Sequence, residues 1–216
     1  DVLYDASIKL ILTRHEQGAA FMAYGYARAK GAPGVVTATE GPGVTNLATA
    51  IAAAYRGHVP VISICGVQES SMRERDSTQD MDQVTFMRPM TKWAHSIPTV
   101  DKVQESVRKA FRVALTEPKG PTHIEAASEV LLEQTAIEAI DPVAYRNTVL
   151  PSCAAEQLDE AVELLSRAER PVFVVGRGVM SEGATHLMIE LAERTGIPVA
   201  ALQYSPDAFP STHALA

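Results

Sequence analysis

Two features early in the chain have the residue types and spacing of a ligand site. A carboxylate, Glu16, stands where an apolar run, Ile8 to Leu12, gives way to an alanine-rich segment, and a Gly-Pro-Gly turn, Gly41 to Gly43, follows the next apolar run. The carboxyl ends of neighbouring strands in an open parallel sheet share one edge, and such sheets bind ligands there. The spacing therefore predicts a ligand site with a carboxylate on it.

Each feature also has an ordinary structural interpretation. An acidic residue in the first turn of a helix is favoured by the helix dipole, so the position of Glu16 alone is equally typical of any helix start. Glycines at a strand end often form a plain turn, and Thr45 and Asn46 have side chains that commonly cap helices. The neighbouring sequence has to decide between these interpretations.

The elements around these residues follow an α/β pattern. Short β-branched runs alternate with longer alanine-rich segments, which predicts βαβ units and an open parallel sheet flanked by helices. The polar run Gln68 to Asp82 predicts a loop that leaves the same sheet edge and reaches over the same site. The predicted strands are Ile8–Thr13, Val35–Thr39, Val59–Cys65 and Thr122–Ala126, the predicted helices are Glu16–Lys30, Val44–Arg56 and Asp101–Leu115, and Lys92–Ile97 completes the unit.

A second α/β domain is expected to begin after a linker. We assign residues 1–128 to the first domain, 129–151 to a linker with scattered prolines, and 152–216 to the start of the second domain. The second domain is expected to be incomplete, because too few strands and helices remain in it to cover two sheet faces. Its predicted elements are the helix Ala155–Ala168, the strand Pro171–Val175, the turn Gly176–Gly178, the helix Glu182–Thr195 and the strand Ile197–Leu202.

Composition excludes several classes of partner. The chain has 216 residues, 46% of them hydrophobic, and a net charge of -7, which argues against binding to nucleic acid or to an anionic membrane. Cys65 and Cys153 are too far apart in sequence to suggest a disulfide framework or a zinc site. No signal peptide is evident, and no apolar run approaches the roughly 20 residues of a membrane span. A cytoplasmic protein is the expectation.

Several ordered motifs resemble one family. The segments Arg14–Ala19, Gly25–Arg28 and Gly41–Asn46 resemble the pyrimidine-binding domain of thiamine-diphosphate enzymes of the acetolactate synthase group. Thr78–Asp82 resembles that group's Phe-Gln-Glu segment, and Arg88-Pro89 with Lys92 resembles its Arg-Pro-x-x-Lys. A set of motifs in the same order is far more specific than a lone Gly-Pro-Gly. The resembled group has a strand and a helix before the first of these motifs, so the resemblance implies that the first domain is incomplete at its N-terminus.

The resemblance implies roles for six residues. Glu16 is the expected catalytic glutamate, which hydrogen-bonds N1′ of the cofactor's pyrimidine from an apolar pocket that raises its pKa. Gln79 is the expected catalytic glutamine, which offers its amide to the substrate. The residues expected to bind the cofactor are Glu16 again, Gly41, Pro42, Gly43 and Asn46.

The resemblance also implies cofactors, and part of their site is expected elsewhere. Thiamine diphosphate is the expected cofactor, with Mg²⁺ bound by a part of the enzyme absent from this chain, since no Gly-Asp-Gly occurs here and no metal ligands are assigned. FAD stays an open alternative. Pro118 stands where the group has an arginine that contacts FAD, and Lys119 supplies a charge but not a planar fork, so weakened flavin binding is expected.

The implied activity is carboligation or decarboxylation. The expected substrate is a small 2-keto acid or acyl compound, as in acetolactate synthase, and the expected assembly is a homodimer or homotetramer with the site between subunits. Enzymes resembling 2-hydroxyacyl-CoA lyase, oxalyl-CoA decarboxylase or sulfoacetaldehyde acetyltransferase are alternatives. An alternative of another class is a non-catalytic nucleotide-binding or regulatory α/β module, for which Gly176-Arg177-Gly178 is a weak phosphate-binding candidate.

Overall fold

A computed structural model describes residues 2–142 and 152–216. The chain divides into two compact units, Asp1–Arg146 and Asn147–Ala216. The predicted α/β class is confirmed: parallel strands and helices make up both units. None of the helices within the described ranges is long and apolar enough to cross a membrane.

The first unit is built on a four-stranded parallel sheet. Its strands are β1 (Gly34–Ala38), β2 (Val61–Val67), β3 (Trp93–Ser96) and β4 (Thr122–Ala127), in the order β1-β2-β4-β3. The register pairs Ala38 with Cys65 and Cys65 with Glu125. All strands therefore run in one direction, and their carboxyl ends share one edge.

Helices cover both faces of this sheet. Successive residues of a strand point to opposite faces, so Val61 and Cys65 of β2 join one buried cluster and Ile62 joins another. The first cluster lies under helices α2 and α3, and the second lies under α5. The helices of this unit are α1 (Val2–Asp5), α2 (Glu16–Lys30), α3 (Pro42–Arg56), α4 (Gln83–Met87), α5 (Val103–Leu115) and α6 (Ser128–Leu132).

Helix α2 has the bounds that the sequence predicts. It begins after His15, whose Nδ1 accepts the Gln17 N–H at 3.1 Å, and it ends at Gly31, whose N–H donates to the Ala27 carbonyl at 3.1 Å. Its buried side is made of alanines, which lets the helix backbone approach the sheet closely. At Gly34 an added Cβ would lie 2.1 Å from the Ala23 carbonyl oxygen, so only glycine fits this contact.

The predicted strand at Ile8–Thr13 is wrong. These residues form no strand, and β1 is the edge of the sheet in the described part of the chain, where it pairs only with β2. Ile8 and Leu12 are exposed, with 65% and 92% of their surface accessible. An apolar run becomes a strand only where a neighbouring backbone completes its ladder hydrogen bonds, and the described residues offer none to this run.

The first residues of the predicted linker form a helix and are not an extended connection. Helix α6 takes up its first residues, and the following chain is held to the first unit where Thr135 Oγ1 donates to Asp101 Oδ1 at 2.6 Å and the Ile140 N–H donates to Gln104 Oε1 at 2.6 Å. The rest of the predicted linker, residues 143–151, lies outside the described residues. The domain boundaries at 128 and 152 stay predictions.

The second unit is a smaller α/β arrangement. A two-stranded parallel sheet, β5 (Phe173–Val175) and β6 (Val199–Ala201), carries a buried cluster around Phe209. The predicted helix Glu182–Thr195 is shorter than expected, because Gly183 has a φ of 65° and interrupts it. The helices are α7 (Ala155–Arg167), α8 (Arg177–Ser181) and α9 (Thr185–Thr195).

The contact between α2 and β1 gives a test of the fold. We expect Gly34→Ala to lower the free energy of unfolding by about 1–3 kcal/mol, the usual cost of overpacking, because the new methyl group would overlap the Ala23 backbone. The measurement is thermal unfolding of the full-length protein.

The matched control is Gly25→Ala in helix α2, where an added Cβ meets no atom within 4 Å. Alanine is the better helix former, so this variant should melt at or slightly above the wild-type temperature. Equal melting temperatures for the two variants would contradict the close packing of α2 on β1.

Candidate functional site

The glutamate at the start of α2 contacts helix α3. Glu16 is the first residue of α2, and its Oε2 accepts a hydrogen bond from Asn46 Nδ2 at 3.0 Å. Asn46 lies one turn into α3, directly after the Gly-Pro-Gly turn. The structure thus brings together two of the predicted site residues that are 30 positions apart in the sequence.

The pKa of Glu16 moves in the direction opposite to the one expected. Its own backbone N–H and the Asn46 amide hold the pKa of the carboxyl below its ordinary value, and these bonds outweigh the opposing effect of desolvation. The side chain is only half-buried, so the expected apolar pocket is not formed by the described residues. The prediction of a raised pKa is therefore wrong for this state of the protein, because hydrogen bonds to the charged form dominate.

The glycines of the Gly-Pro-Gly turn are in close contact with protein atoms. Gly41 has φ 63° and ψ -111°, a conformation that residues with side chains rarely adopt, and an added Cβ would lie 2.6 Å from the Gln79 carbonyl oxygen. A Cβ on Gly43 would lie 2.9 Å from Thr39 Cγ2. Pro42 is exposed and begins α3. The turn needs its glycines for internal packing, whatever ligand it also contacts.

Gln79 has a left-handed backbone conformation and an exposed side chain. Its φ is 72°, its side chain is exposed, and its amide makes no hydrogen bond to the residues that the structure describes. A left-handed backbone at a residue other than glycine costs free energy, and such residues cluster at functional sites. Because Gln79 also lies against Gly41, the polar loop does reach the site as the sequence predicts.

The polar loop is held by side-chain hydrogen bonds at its base. Ser70 donates from its N–H and its Oγ to Glu129 Oε1, at 2.9 and 2.7 Å, and Ser128 Oγ donates to Glu69 Oε1 at 2.6 Å. These bonds hold the pKa of Glu129 below its usual range. The start of α6, which the sequence assigned to the end of the domain, therefore anchors the loop that carries Gln79.

Three other polar residues of the motifs named above have structural roles. His15 caps α2, as described above. Thr45 Oγ1 donates to the Pro42 carbonyl at 3.0 Å, within the first turn of α3. Lys92 Nζ donates to the carbonyls of Val113 and Thr116 at the end of α5, where a cation also stabilises the negative end of the helix dipole.

A set of buried polar residues near the site is missing from the sequence-based prediction. Gln83, His123 and Glu125 are 1%, 0% and 3% exposed, and Gln83 Oε1 accepts the Gly41 N–H at 2.6 Å. One signal was available: His123 and Glu125 alternate within β4, a strand that is buried along its whole length, and buried polar side chains of this kind need partners.

The binding chemistry at this edge is limited to one part of a large cofactor. A carboxylate, two amides and a tight turn can recognise a flat heterocycle with hydrogen-bonding edges. No group of three or more acidic, histidine or cysteine side chains that could hold a metal ion occurs within residues 2–142 and 152–216.

Comparison with known proteins identifies the family. The family model "Thiamine pyrophosphate enzyme, N-terminal TPP binding domain" matches residues 1–86, and "Thiamine pyrophosphate enzyme, central domain" matches residues 158–216. Among similar proteins, a probable acetolactate synthase large subunit of Methanocaldococcus jannaschii is 37% identical over 100% of this chain and 37% of its own length.

Two further relatives have related names. The acetolactate synthase large subunit of Corynebacterium glutamicum is 35% identical over 100% of this chain and 35% of its own length. The acetolactate synthase isozyme 1 large subunit of Escherichia coli is 34% identical over 99% of this chain and 38% of its own length. The chain thus spans little more than a third of these relatives. By both comparisons, it belongs to the thiamine pyrophosphate enzymes, in the group of the acetolactate synthase large subunits.

Proposed function

We propose that residues 1–128 form the pyrimidine-binding domain, and residues 152–216 the start of the central domain, of a thiamine-diphosphate enzyme that joins or cleaves carbon-carbon bonds of a 2-keto acid, as an acetolactate synthase does. One observation carries the proposal: the first residue of α2, Glu16, is held by Asn46 of α3 at 3.0 Å, directly beside the Gly-Pro-Gly turn. The names of the similar proteins support the same activity.

The residues at this edge fit the pyrimidine end of the cofactor. Glu16 would hydrogen-bond N1′ of the ring, with its Oε2 fixed by Asn46. Gly41 to Gly43 would line the ring, and the unpartnered amide of Gln79 would face the substrate. When bound, thiamine diphosphate supplies a C2 nucleophile that adds to a carbonyl and accepts the charge left by loss of carbon dioxide.

Glu16 would hold a proton at N1′. In the present structure its carboxylate is half-buried and its pKa is lowered, with desolvation as an opposing cause. A ring that covers the carboxylate would remove water and strengthen that opposing cause, which moves the pKa upward. Cofactor binding would thus convert an ionised surface acid into one that shares a proton with the ring.

The remaining parts of the site would lie outside the described residues. Mg²⁺ and the diphosphate would be held by another part of the enzyme, since the family's Gly-Asp-Gly does not occur in these 216 residues. A homodimer or homotetramer, with the pyrimidine-binding part of one subunit facing the diphosphate-binding part of another, would complete the site, and we infer a cytoplasmic enzyme. Flavin has no part in the proposal, because Pro118 stands where the acetolactate synthase group has an arginine that contacts FAD.

Cofactor binding is the first test of this proposal. Calorimetric titration of the full-length protein with thiamine diphosphate should give binding that depends on Mg²⁺, since the diphosphate is held through the metal ion. Thiamine without its diphosphate is the control and should bind more weakly. Absence of binding at about 1 mM cofactor, equivalent to less than about 4 kcal/mol of binding free energy, would contradict the proposal.

Glu16→Gln is the second test. Glutamine has nearly the same volume and its carbonyl can still accept the Asn46 hydrogen bond, but it cannot take up a proton from the ring. We expect turnover to fall by about 10²- to 10⁴-fold, or roughly 3–5 kcal/mol of barrier, with an unchanged melting temperature. The measurements are proton exchange at C2 of the cofactor and steady-state turnover.

The matched control is Glu156→Gln, the same substitution in the first turn of α7. If Glu16 only stabilises a helix dipole, both variants should behave alike and keep wild-type turnover. A Glu16→Gln enzyme within about threefold of wild type, under 1 kcal/mol of barrier, would exclude Glu16 as the activating group.

A further inference from the structure

A buried polar cluster lies directly beneath the Gly-Pro-Gly turn. It consists of Gln83 at the start of α4, His123 and Glu125 of β4, and Ser63 of β2, with 1%, 0%, 3% and 0% of their surfaces exposed. None of these side chains has a role in the proposed chemistry. Polar groups in a core cost free energy unless each finds a partner, so their contacts indicate what they do.

Gln83 makes three hydrogen bonds that join three strand ends. Its Oε1 accepts the Gly41 N–H at 2.6 Å, after β1; its Nε2 donates to the Gly66 carbonyl of β2 at 2.9 Å and to Glu125 Oε2 of β4 at 2.8 Å. Both hydrogens of the amide and its oxygen are used. A single side chain therefore connects the carboxyl ends of β1, β2 and β4.

The other members of the cluster hold Glu125 in place. His123 Nε2 lies 3.4 Å from Glu125 Oε2, and His123 Nδ1 lies 2.9 Å from Ser63 Oγ. Ser63 Oγ also donates to the Thr122 carbonyl at 3.3 Å, and the donor in its contact with His123 Nδ1 depends on the histidine tautomer. Within the described residues, no buried side-chain nitrogen or oxygen is left without a partner.

The location of Gly41 determines where several residues of the proposed site lie. It is the residue before α3, so its location sets where Pro42 and the first turns of that helix lie, and Asn46 of α3 holds Glu16. Gln79 lies against the other side of Gly41. A shift of Gly41 would move the turn, the amide of Gln79 and the support of Glu16 together.

We propose that Gln83 is a positioning residue that fixes the Gly-Pro-Gly turn, and through it the pyrimidine site, from the protein core. This rests on the proposed function, since it assigns Gln83 a role toward the same cofactor. An amide suits the role because it offers one acceptor to Gly41 and two donors to Gly66 and Glu125. Methionine at position 83 would keep the side-chain volume and lose all three hydrogen bonds. Glutamate at position 83 would keep the acceptor for the Gly41 N–H but would place its carboxyl group beside that of Glu125.

The experiment compares Gln83→Met with Ile124→Val in the full-length protein. Ile124 is fully buried on the same strand as Glu125, but in the cluster on the opposite face of the sheet, so its truncation lowers stability without contacting the turn. Two quantities are measured for each variant: amide hydrogen exchange of the peptide that contains Gly41, and the thiamine diphosphate dissociation constant alongside kcat at saturating cofactor.

Gln83→Met should speed exchange of that peptide and raise the dissociation constant by about tenfold, or 1.4 kcal/mol, while kcat at saturation stays within about threefold because Glu16 is retained. Ile124→Val should change neither quantity at the turn, although it lowers the melting temperature. Exchange or cofactor affinity that changes no more in Gln83→Met than in Ile124→Val would overturn the proposal.

A second pair of variants covers the case in which Gln83→Met fails to fold. Gln83→Glu should weaken cofactor binding, and adding Glu125→Gln should recover part of the loss, because the new amide can donate to the new carboxylate. Absence of recovery would overturn the proposal. If the wild-type protein binds no thiamine diphosphate, the proposed function fails, and the exchange measurement alone decides whether Gln83 holds the turn.

Discussion

The parallel pairing of β1, β2 and β4 is the constraint on which the site depends. Their register brings Ala38, Cys65 and Glu125 side by side, so the chain leaves all three strands at one edge. The Gly-Pro-Gly turn, the polar loop and the start of α6 follow these three strand ends, so they lie close together at that edge. Residues distant in sequence become neighbours because parallel strands must all end on the same side.

Close backbone contact and buried polar bonds act together at this edge. Gly41 allows the polar loop to approach at a distance that excludes any Cβ, and Gln83 satisfies the Gly41 N–H from the opposite side. A fully satisfied buried network specifies one arrangement, while a partly satisfied one costs several times the free energy of a single hydrogen bond. The turn is thus held by packing and by hydrogen bonds at once.

The elements were predictable where the signals are local. Helix α2 has the predicted bounds because it ends at Gly31, a signal visible in the sequence, and the structure adds His15 as the cap of its start. The strand expected at Ile8–Thr13 fails because an apolar run carries no information about its pairing partner. Glu16 and Asn46 were singled out from motifs, and their contact needed the structure.

The buried network could not be predicted because it is non-local. Gln83 and Gly41 are 42 residues apart, and nothing in the short segment Gln83–Met87 indicates that its first side chain points into the core. The prediction that the Glu16 pKa is raised was wrong for a related reason. The direction of a pKa shift depends on which hydrogen bonds the carboxyl group forms, and residue type does not reveal them. Roles that arise from tertiary contacts are assigned only once those contacts are known.

The burial of Cys65 has a practical chemical consequence. It lies on β2 between the turn and Glu125, and removal of water, with a smaller effect of Glu125, raises the pKa of its thiol to about 12. Only the thiolate reacts with alkylating and oxidising reagents, so at neutral pH the reactive fraction of Cys65 is on the order of 10⁻⁵. Cys153 is exposed. Within these 216 residues, a thiol-directed fluorophore would therefore react with Cys153 of the second unit and leave Cys65 of the first unit unlabelled.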